Sequence, residues 1–174
     1  MAETMIEQNE ISTAVMESGE DKDVSKLAGK YLTFVLGNEG YGIEILKVRE
    51  IIGLMDITKV PNMPHYVRGV INLRGKIHPV VDLHSKFGMG ITEDTNETCI
   101  IVVDVTQNGK PMMVGILVDS VSEVLDISAS EIEETPQFNI SLDSHYIMGI
   151  AKIKDEIKIL LDIDQVLADG MNLT

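Results

Sequence analysis

A chain of 174 residues with 44% apolar content and a formal charge of −14 is long enough for one domain, or two small fused ones, with a sizeable core. That charge repels phosphate backbones and anionic headgroups, and no local basic patch offsets it, so nucleic acid and membrane surfaces are excluded as expected partners. The single cysteine, Cys99, permits no internal disulfide, and the chain has neither a leader-like start nor the roughly 20 apolar residues of a spanning helix, so the expectation is a cytoplasmic protein without direct membrane insertion.

Residues 1–29 carry Glu3, Glu7, Glu10, Glu17, Glu20, Asp21 and Asp23 against Lys22 and Lys26. They have no sustained hydrophobic period and read as a flexible acidic tail. From Tyr31 the texture changes to short Val- and Ile-rich runs broken by Gly, Asn and Pro, the pattern of an all-β domain. YLTFVL at 31–36 and YGIEI at 41–45 predict two strands joined through Gly37-Asn38-Glu39-Gly40. LKVRE at 46–50 fits a helical turn and a strand entry equally, and the sequence leaves its state open. IIVVD at 100–104 and PMMVGILVD at 111–119 flank Asn108-Gly109, a strong hairpin signal. Ser128-Ala129-Ser130-Glu131 has the form of a capping box, and the Pro136 that follows limits any helix there to a turn or two. Asp162 caps a short C-terminal helix through Leu167, with Gly170 as its stop and 169–174 as a second tail.

The sequence also repeats itself. HYVRGVINLRGKIHPVVDL at 65–83 aligns without a gap on HYIMGIAKIKDEIKILLDI at 145–163, and YGIEILKVREI at 41–51 lies over VGILVDSVSEV at 114–124. The offset grows from 73 to 80, so the second copy carries about seven extra residues, assigned to the loop near Pro136. Two β-modules of about five short strands follow, one mainly within 31–90 and the other mainly within 97–163, an exchange of strands between them remaining open. Five strands suffice to close a small barrel and remove its exposed edges. Barrels this small are marginal alone, so an apolar seam between them is expected.

Catalytic chemistry has little to stand on. Phosphate-loop, nucleophile-elbow and His-Glu-x-x-His patterns are all missing from the sequence. His78, Asp82 and His84 share one face of an extended segment, yet at about 3.3 Å per residue His78 stands about 13 Å from Asp82. Only Asp82 with His84 remains as a metal pair, the sole basis for a rival reading as a metal-dependent hydrolase. Asp82 recurs as Asp162 where each copy leaves its strand, which capping explains better. His65-Tyr66 and His145-Tyr146 also recur and read as structural, Cys99 reads as core, and no cofactor or metal is expected.

Asymmetry between the copies points instead to an interaction surface. Asn72-Leu73-Arg74-Gly75 in the first copy is replaced by Lys152-Ile153-Lys154-Asp155 in the second. Arginine presents a planar fork that binds carboxylates in two places and is enriched at the centres of interfaces. Arg74 is therefore the first candidate contact, with Glu50 as its ion-pair partner. Spacing alone leaves an ordinary exposed hairpin arginine equally open.

YGIEILKVREI, Val60-Pro61, VRGVINLRGKIHPVVDL and VGILVDSVSEV together resemble the CheW family over about residues 30–168. The resemblance implies two tandem SH3-like five-stranded β-barrels sharing a hydrophobic seam, with a short C-terminal helix and no enzymatic activity. It implies a chemotaxis adaptor that joins the cytoplasmic tip of transmembrane chemoreceptors to the regulatory domain of the histidine kinase CheA, recruited to membrane-associated receptor arrays. By motif, Val48 and Glu50, with Gly69 and Arg74, resemble positions linked to receptor coupling. Ile45 and Val48 would act as aliphatic anchors for an amphipathic receptor helix. The kinase-facing surface is left unassigned. The acidic leader, His78 and His84 depart from the family pattern. Because the same domain occurs fused to receiver or kinase domains, a docking module for another two-component kinase is the alternative job.

Overall fold

A computed structural model describes residues 24–90, 93–134 and 144–168. Most of the expected leader, the Pro136 loop, Gly170 and the tail at 169–174 lie outside the described residues. Val24–Leu27, read above as part of the leader, form a 3-10 turn. Val24 and Leu27 pack on a small core, and the Leu27 carbonyl accepts the Tyr31 hydroxyl proton at 2.6 Å.

Eleven strands follow. They are β1 (Gly29–Leu36), β2 (Glu39–Glu44), β3 (Val48–Gly53), β4 (Val67–Leu73), β5 (Lys76–Asp82), β6 (Cys99–Gln107), β7 (Lys110–Val118), β8 (Ser120–Ile127), β9 (Ile132–Glu133), β10 (Ile147–Ile153) and β11 (Glu156–Leu161). Helix α1 (Leu83–Lys86) follows β5, and α2 (Ile163–Ala168) follows β11. Two-residue turns make the hairpins. Asn108 and Gly109, Arg74 and Gly75, and Lys154 and Asp155 all have positive φ, the backbone a type I′ turn demands. Between β1 and β2 only Gly37 is left-handed (φ 62°), and β2 resumes at Glu39, so the connection is tighter than the four residues expected. LKVRE proves to be both of its readings, a 3-10 turn at Ile45–Lys47 running into β3.

The strands form two sheets, β8-β1-β2-β11-β10-β9 and β3-β6-β7-β5-β4. Aligned by the repeat, their orders coincide, β8, β1, β2, β11 and β10 standing where β3, β6, β7, β5 and β4 stand. Each copy thus lends its first hairpin to a sheet otherwise built from the other copy. The chain passes between sheets only twice, at Ile45–Lys47 and at Asp119. Both sheets close into barrels. Beyond β8 the chain turns through Ala129–Glu131 into β9, which pairs with β10. Beyond β3, Thr58 makes the equivalent bridge to Val70 of β4. Expected caps are in place at both transitions, with Asp82 accepting from the His84 amide at 3.0 Å and Asp162 from the Gln165 amide at 3.3 Å. The Tyr66 and Tyr146 carbonyls accept from the Asp82 and Asp162 amides, 2.8 Å each, so the repeated His-Tyr doublets anchor the ends of β5 and β11.

Each barrel has a small interior, Tyr31, Ile127, Ile132, Ala151 and Leu160 in one and Ile71, Val80, Ile100, Val102 and Leu117 in the other. The largest core lies between them. Leu32, Phe34 and Ile43 of one barrel meet Val81, Ile101, Val103 and Ile116 of the other, with Val166 and Leu167 of α2 packed alongside. Successive residues of β6 therefore face two different cores, which is why the run Cys-Ile-Ile-Val-Val shows no polar alternation. Among the described residues, no helix is long and apolar enough to cross a membrane.

Candidate interaction site

Glu50 and Arg74 belong to opposite ends of the five-stranded sheet, β3 and the β4–β5 turn, and barrel closure brings them together. Arg74 donates from Nη1 to Glu50 Oε2 at 2.6 Å and from Nη2 to Oε1 at 2.7 Å. This is the fork-to-fork geometry of a bidentate pair. Its components differ in exposure: 73% of the Arg74 side chain is open to solvent against 27% of Glu50. Hydrogen bonding by Arg74, reinforced by the attraction of the Arg74 and Arg49 charges, holds the Glu50 carboxyl below the usual glutamate range. The same hydrogen bond raises Arg74. Two of the five guanidinium N–H groups are used here, leaving three directed elsewhere. Arg74 itself sits at φ 52°, a conformation glycine or asparagine adopts at lower cost. Glu123 and Lys154 occupy the corresponding places in the other barrel, and among the described residues no ion pair joins them.

Gly69 has a different reason to be where it is. Its φ is 150°, and a Cβ there would stand 2.2 Å from the Thr58 carbonyl oxygen and 2.8 Å from Ile57 Cγ2. Glycine lets the chain leaving β3 lie close enough for Thr58 and Val70 to exchange backbone hydrogen bonds at 2.9 and 2.8 Å. A β-bulge falls at this point of β4, and another at the equivalent point of β10 beside Gly149. Gly69 and the ion pair thus both lie on the line where the barrel closes.

Ile45 and Val48 are only half exposed and pack against the core between the barrels. The open apolar surface nearby belongs to residues the sequence did not single out, Leu46 at 91% and Ile51 at 45% exposure. Ile51 follows Glu50 in β3 and lies on the opposite face of the strand, an exposed position that alternation would have marked had the state of LKVRE been settled. Leu46 carried no such signal, because its exposure comes from the crossing between barrels. Ile77 (60%) and its repeat counterpart Ile157 (57%) are also open.

Asp82 and His84 do not converge as a ligand pair. The Asp82 carboxylate caps α1 and lies 3.6 Å from Arg68, while His84 Nε2 sits 2.7 Å from Asp119 Oδ1. His78 points elsewhere, with Nε2 buried and without a hydrogen-bond partner. No group of three His, Cys, Asp or Glu side chains positioned to hold a metal ion occurs among the described residues. Cys99 is half-buried, and burial raises its thiol pKa above the ordinary value.

Residues 30–171 match the family model described as CheW-like domain. The chain is 43% identical over 151 residues to the chemotaxis protein CheW of Klebsiella aerogenes, covering 83% of this chain and 88% of that protein. It is 36% identical over 135 residues to the chemotaxis protein CheW of Rhizobium meliloti, covering 78% and 84%. Among solved structures it is similar to the scaffolding protein TtCheW from Thermoanaerobacter tengcongensis, with a TM-score of 0.73, 35% identity, and coverage of 82% of this chain and 95% of that one.

Proposed function

Since this chain belongs to the CheW family, we propose that it is a scaffold, without catalytic chemistry of its own, that couples transmembrane chemoreceptors to the histidine kinase CheA. The receptor contact is assigned to Glu50 and Arg74 together with apolar groups along the same stretch of chain. A bidentate arginine held by one carboxylate is preorganised, so little side-chain freedom is lost when a partner arrives. Leu46 and Ile51 supply exposed apolar area along the same stretch of chain, Ile51 on the face of β3 opposite Glu50. That combination suits an amphipathic helix, whose aliphatic face rests on the leucine and isoleucine while its polar edge meets the remaining guanidinium donors. Ile45 and Val48 support this surface from below, and Gly69 keeps the barrel beneath it closed. Partner binding brings the protein to membrane-associated receptor arrays from the cytoplasm.

The observation that carries this reading is the ion pair, present in one repeat copy and missing from the other. Co-sedimentation with receptor-bearing membranes and CheA tests it. Arg74→Glu, which sets two carboxylates against each other, is expected to lose receptor association while its circular dichroism stays that of the parent. Combining it with Glu50→Arg restores part of the binding. Undiminished sedimentation of Arg74→Glu would remove this surface from the receptor contact.

A further inference from the structure

The chain passes between the barrels twice, and the repeat sets the two crossings side by side. Leu46 corresponds to Asp119, Lys47 to Ser120 and Asp164 to His84. At the second crossing the residue in register is tied down: Asp119 accepts from the Gly37 amide at 2.7 Å and lies 2.7 Å from His84 Nε2. At the first, the grip falls one residue later. Asp164 of α2 accepts from Lys47 Nζ at 2.6 Å through Oδ2, and its Oδ1 accepts from the Thr106 amide near the end of β6 at 3.1 Å. Leu46 is left outside this grip, 91% exposed. The 3-10 turn at Ile45–Lys47 accounts for the division. With three residues per turn, Ile45 and Val48 fall on one side, where both pack on the core between the barrels, and the Val48 amide closes the turn on the Ile45 carbonyl. Lys47 is drawn toward α2, and the direction that remains for Leu46 is solvent.

We propose that Asp164 is a positioning residue for the partner surface, holding the Ile45–Lys47 turn in the arrangement that presents Leu46 to the apolar face of an incoming helix, an inference that rests on the function proposed above. Asp164 acts through Lys47, its neighbour in space, and Lys47 acts on Leu46, its neighbour in the chain. The clip differs from an ordinary surface ion pair, which contributes little. Its side chains are only 34% and 30% exposed, and the two carboxylate oxygens are engaged from two different elements. The hydrogen bond to Asp164 raises the Lys47 ammonium above its ordinary pKa against the opposing effect of burial. Beyond Lys47 the same stretch is fastened at Arg49, whose Nε lies 3.1 Å from Asp104 of β6, and at Glu50 by Arg74. Turn and ion pair therefore form one braced length of chain. A leucine on a loose crossing would lose freedom when a partner arrives, whereas on a braced one that ordering is complete beforehand. Were the clip only a fastening between barrels, its removal would weaken binding whatever residue stood at position 46. Acting through Leu46, its effect on binding vanishes once that side chain is truncated.

Two measurements on the full chain separate this inference from the reading it rests on. Asp164→Asn keeps an acceptor for the Thr106 amide and removes the charge that holds Lys47, and Lys47→Gln removes the other half of the pair. In hydrogen-exchange NMR the Val48 amide, which closes the turn, is expected to exchange about tenfold faster in either variant, the mark of a local opening, while amides of the β6–β7 ladder keep the parent rates. An unchanged Val48 amide, or a rise shared by the whole ladder, overturns the clip whether or not any partner binds. In the second measurement, affinity for a helical receptor-tip fragment is expected to fall about fivefold in Asp164→Asn, a typical coupling between sites, and to fall no further when Asp164→Asn is added to Leu46→Ala. Undiminished affinity in Asp164→Asn, or an equal loss in both backgrounds, overturns the positioning role. A fragment that does not bind the parent chain overturns the receptor reading and the role of Leu46 with it, while Val48 exchange still decides the clip.

Discussion

Arg74 holds two properties in tension, a backbone conformation suited to glycine and a side chain locked onto Glu50. Arg74→Gly separates them. The turn relaxes and the guanidinium disappears, so thermal unfolding is expected at or above the parent midpoint while receptor binding falls. A large drop in the midpoint would mean that the ion pair, rather than the turn, closes the barrel. The carboxyl gives an independent readout. Because Glu50 titrates below its ordinary value when folded, the pair is complete above the unfolded value of about 4.3 and is lost only as pH falls through the lower folded value. Carbon NMR of the Glu50 carboxyl is expected to show that depressed midpoint, returning to the usual range in Arg74→Gly. Arg74 was legible in the sequence because a duplicated module makes its exceptions visible, whereas its pairing with Glu50, which recurs as Glu123 in the second copy, depended on the closure of the barrel. The His84–Asp119 contact was not, since it depends on where the chain passes between barrels, and Leu46 was missed for the same reason.

At the scale of elements, local chemistry carried most of the information. Asn108-Gly109, the Asp82 and Asp162 caps and the Ser128–Glu131 box, whose Ser128 amide donates to Glu131 Oε1 at 2.9 Å, all act through neighbouring residues and are readable as written. LKVRE was ambiguous because it joins two barrels and so obeys two periods in five residues. The closing contact at Thr58 has no local signature at all. Its importance shows in the two equivalent glycines. A methyl at Gly69 would meet a backbone carbonyl at 2.2 Å, whereas at Gly149 the nearest atoms are the Ile132 Cγ2 at 3.0 Å and the Glu133 oxygen at 3.2 Å. Gly69→Ala is expected to cost about 2–4 kcal/mol in urea unfolding and Gly149→Ala about 1 kcal/mol, within the range for strained and overpacked substitutions. Equal losses would argue against a tighter closure in the first-copy strand.

For the whole molecule, the repeat announced two modules and the five short strands in each announced barrels, but which strand joins which barrel is a long-range matter. Parallel pairing of β2 with β11 sets Lys158 opposite Gly40, and that of β5 with β7 sets Val80 opposite Gly115. Neither partner is visible from its own sequence neighbourhood. Interlocking of this kind predicts one cooperative unfolding transition, with calorimetric and van't Hoff enthalpies in agreement. Two resolved transitions would mean that the seam does not couple the barrels. A fragment of residues 30–98 is expected to remain unfolded, because its β1–β2 hairpin lacks β8 and β11 and its β3, β4 and β5 lack the hairpin between them.

Reciprocal exchange of hairpins also bears on how the chain is made. β3 to β7 emerge from the ribosome consecutively and can pair as they appear. The β1–β2 hairpin is translated first, yet it must wait until residues up to Leu161 have been added before its last neighbour exists. Through most of synthesis this hairpin, whose β1 carries apolar side chains on both faces, therefore lacks its final partners, and that interval is when the nascent protein is most open to misassembly with another copy of itself.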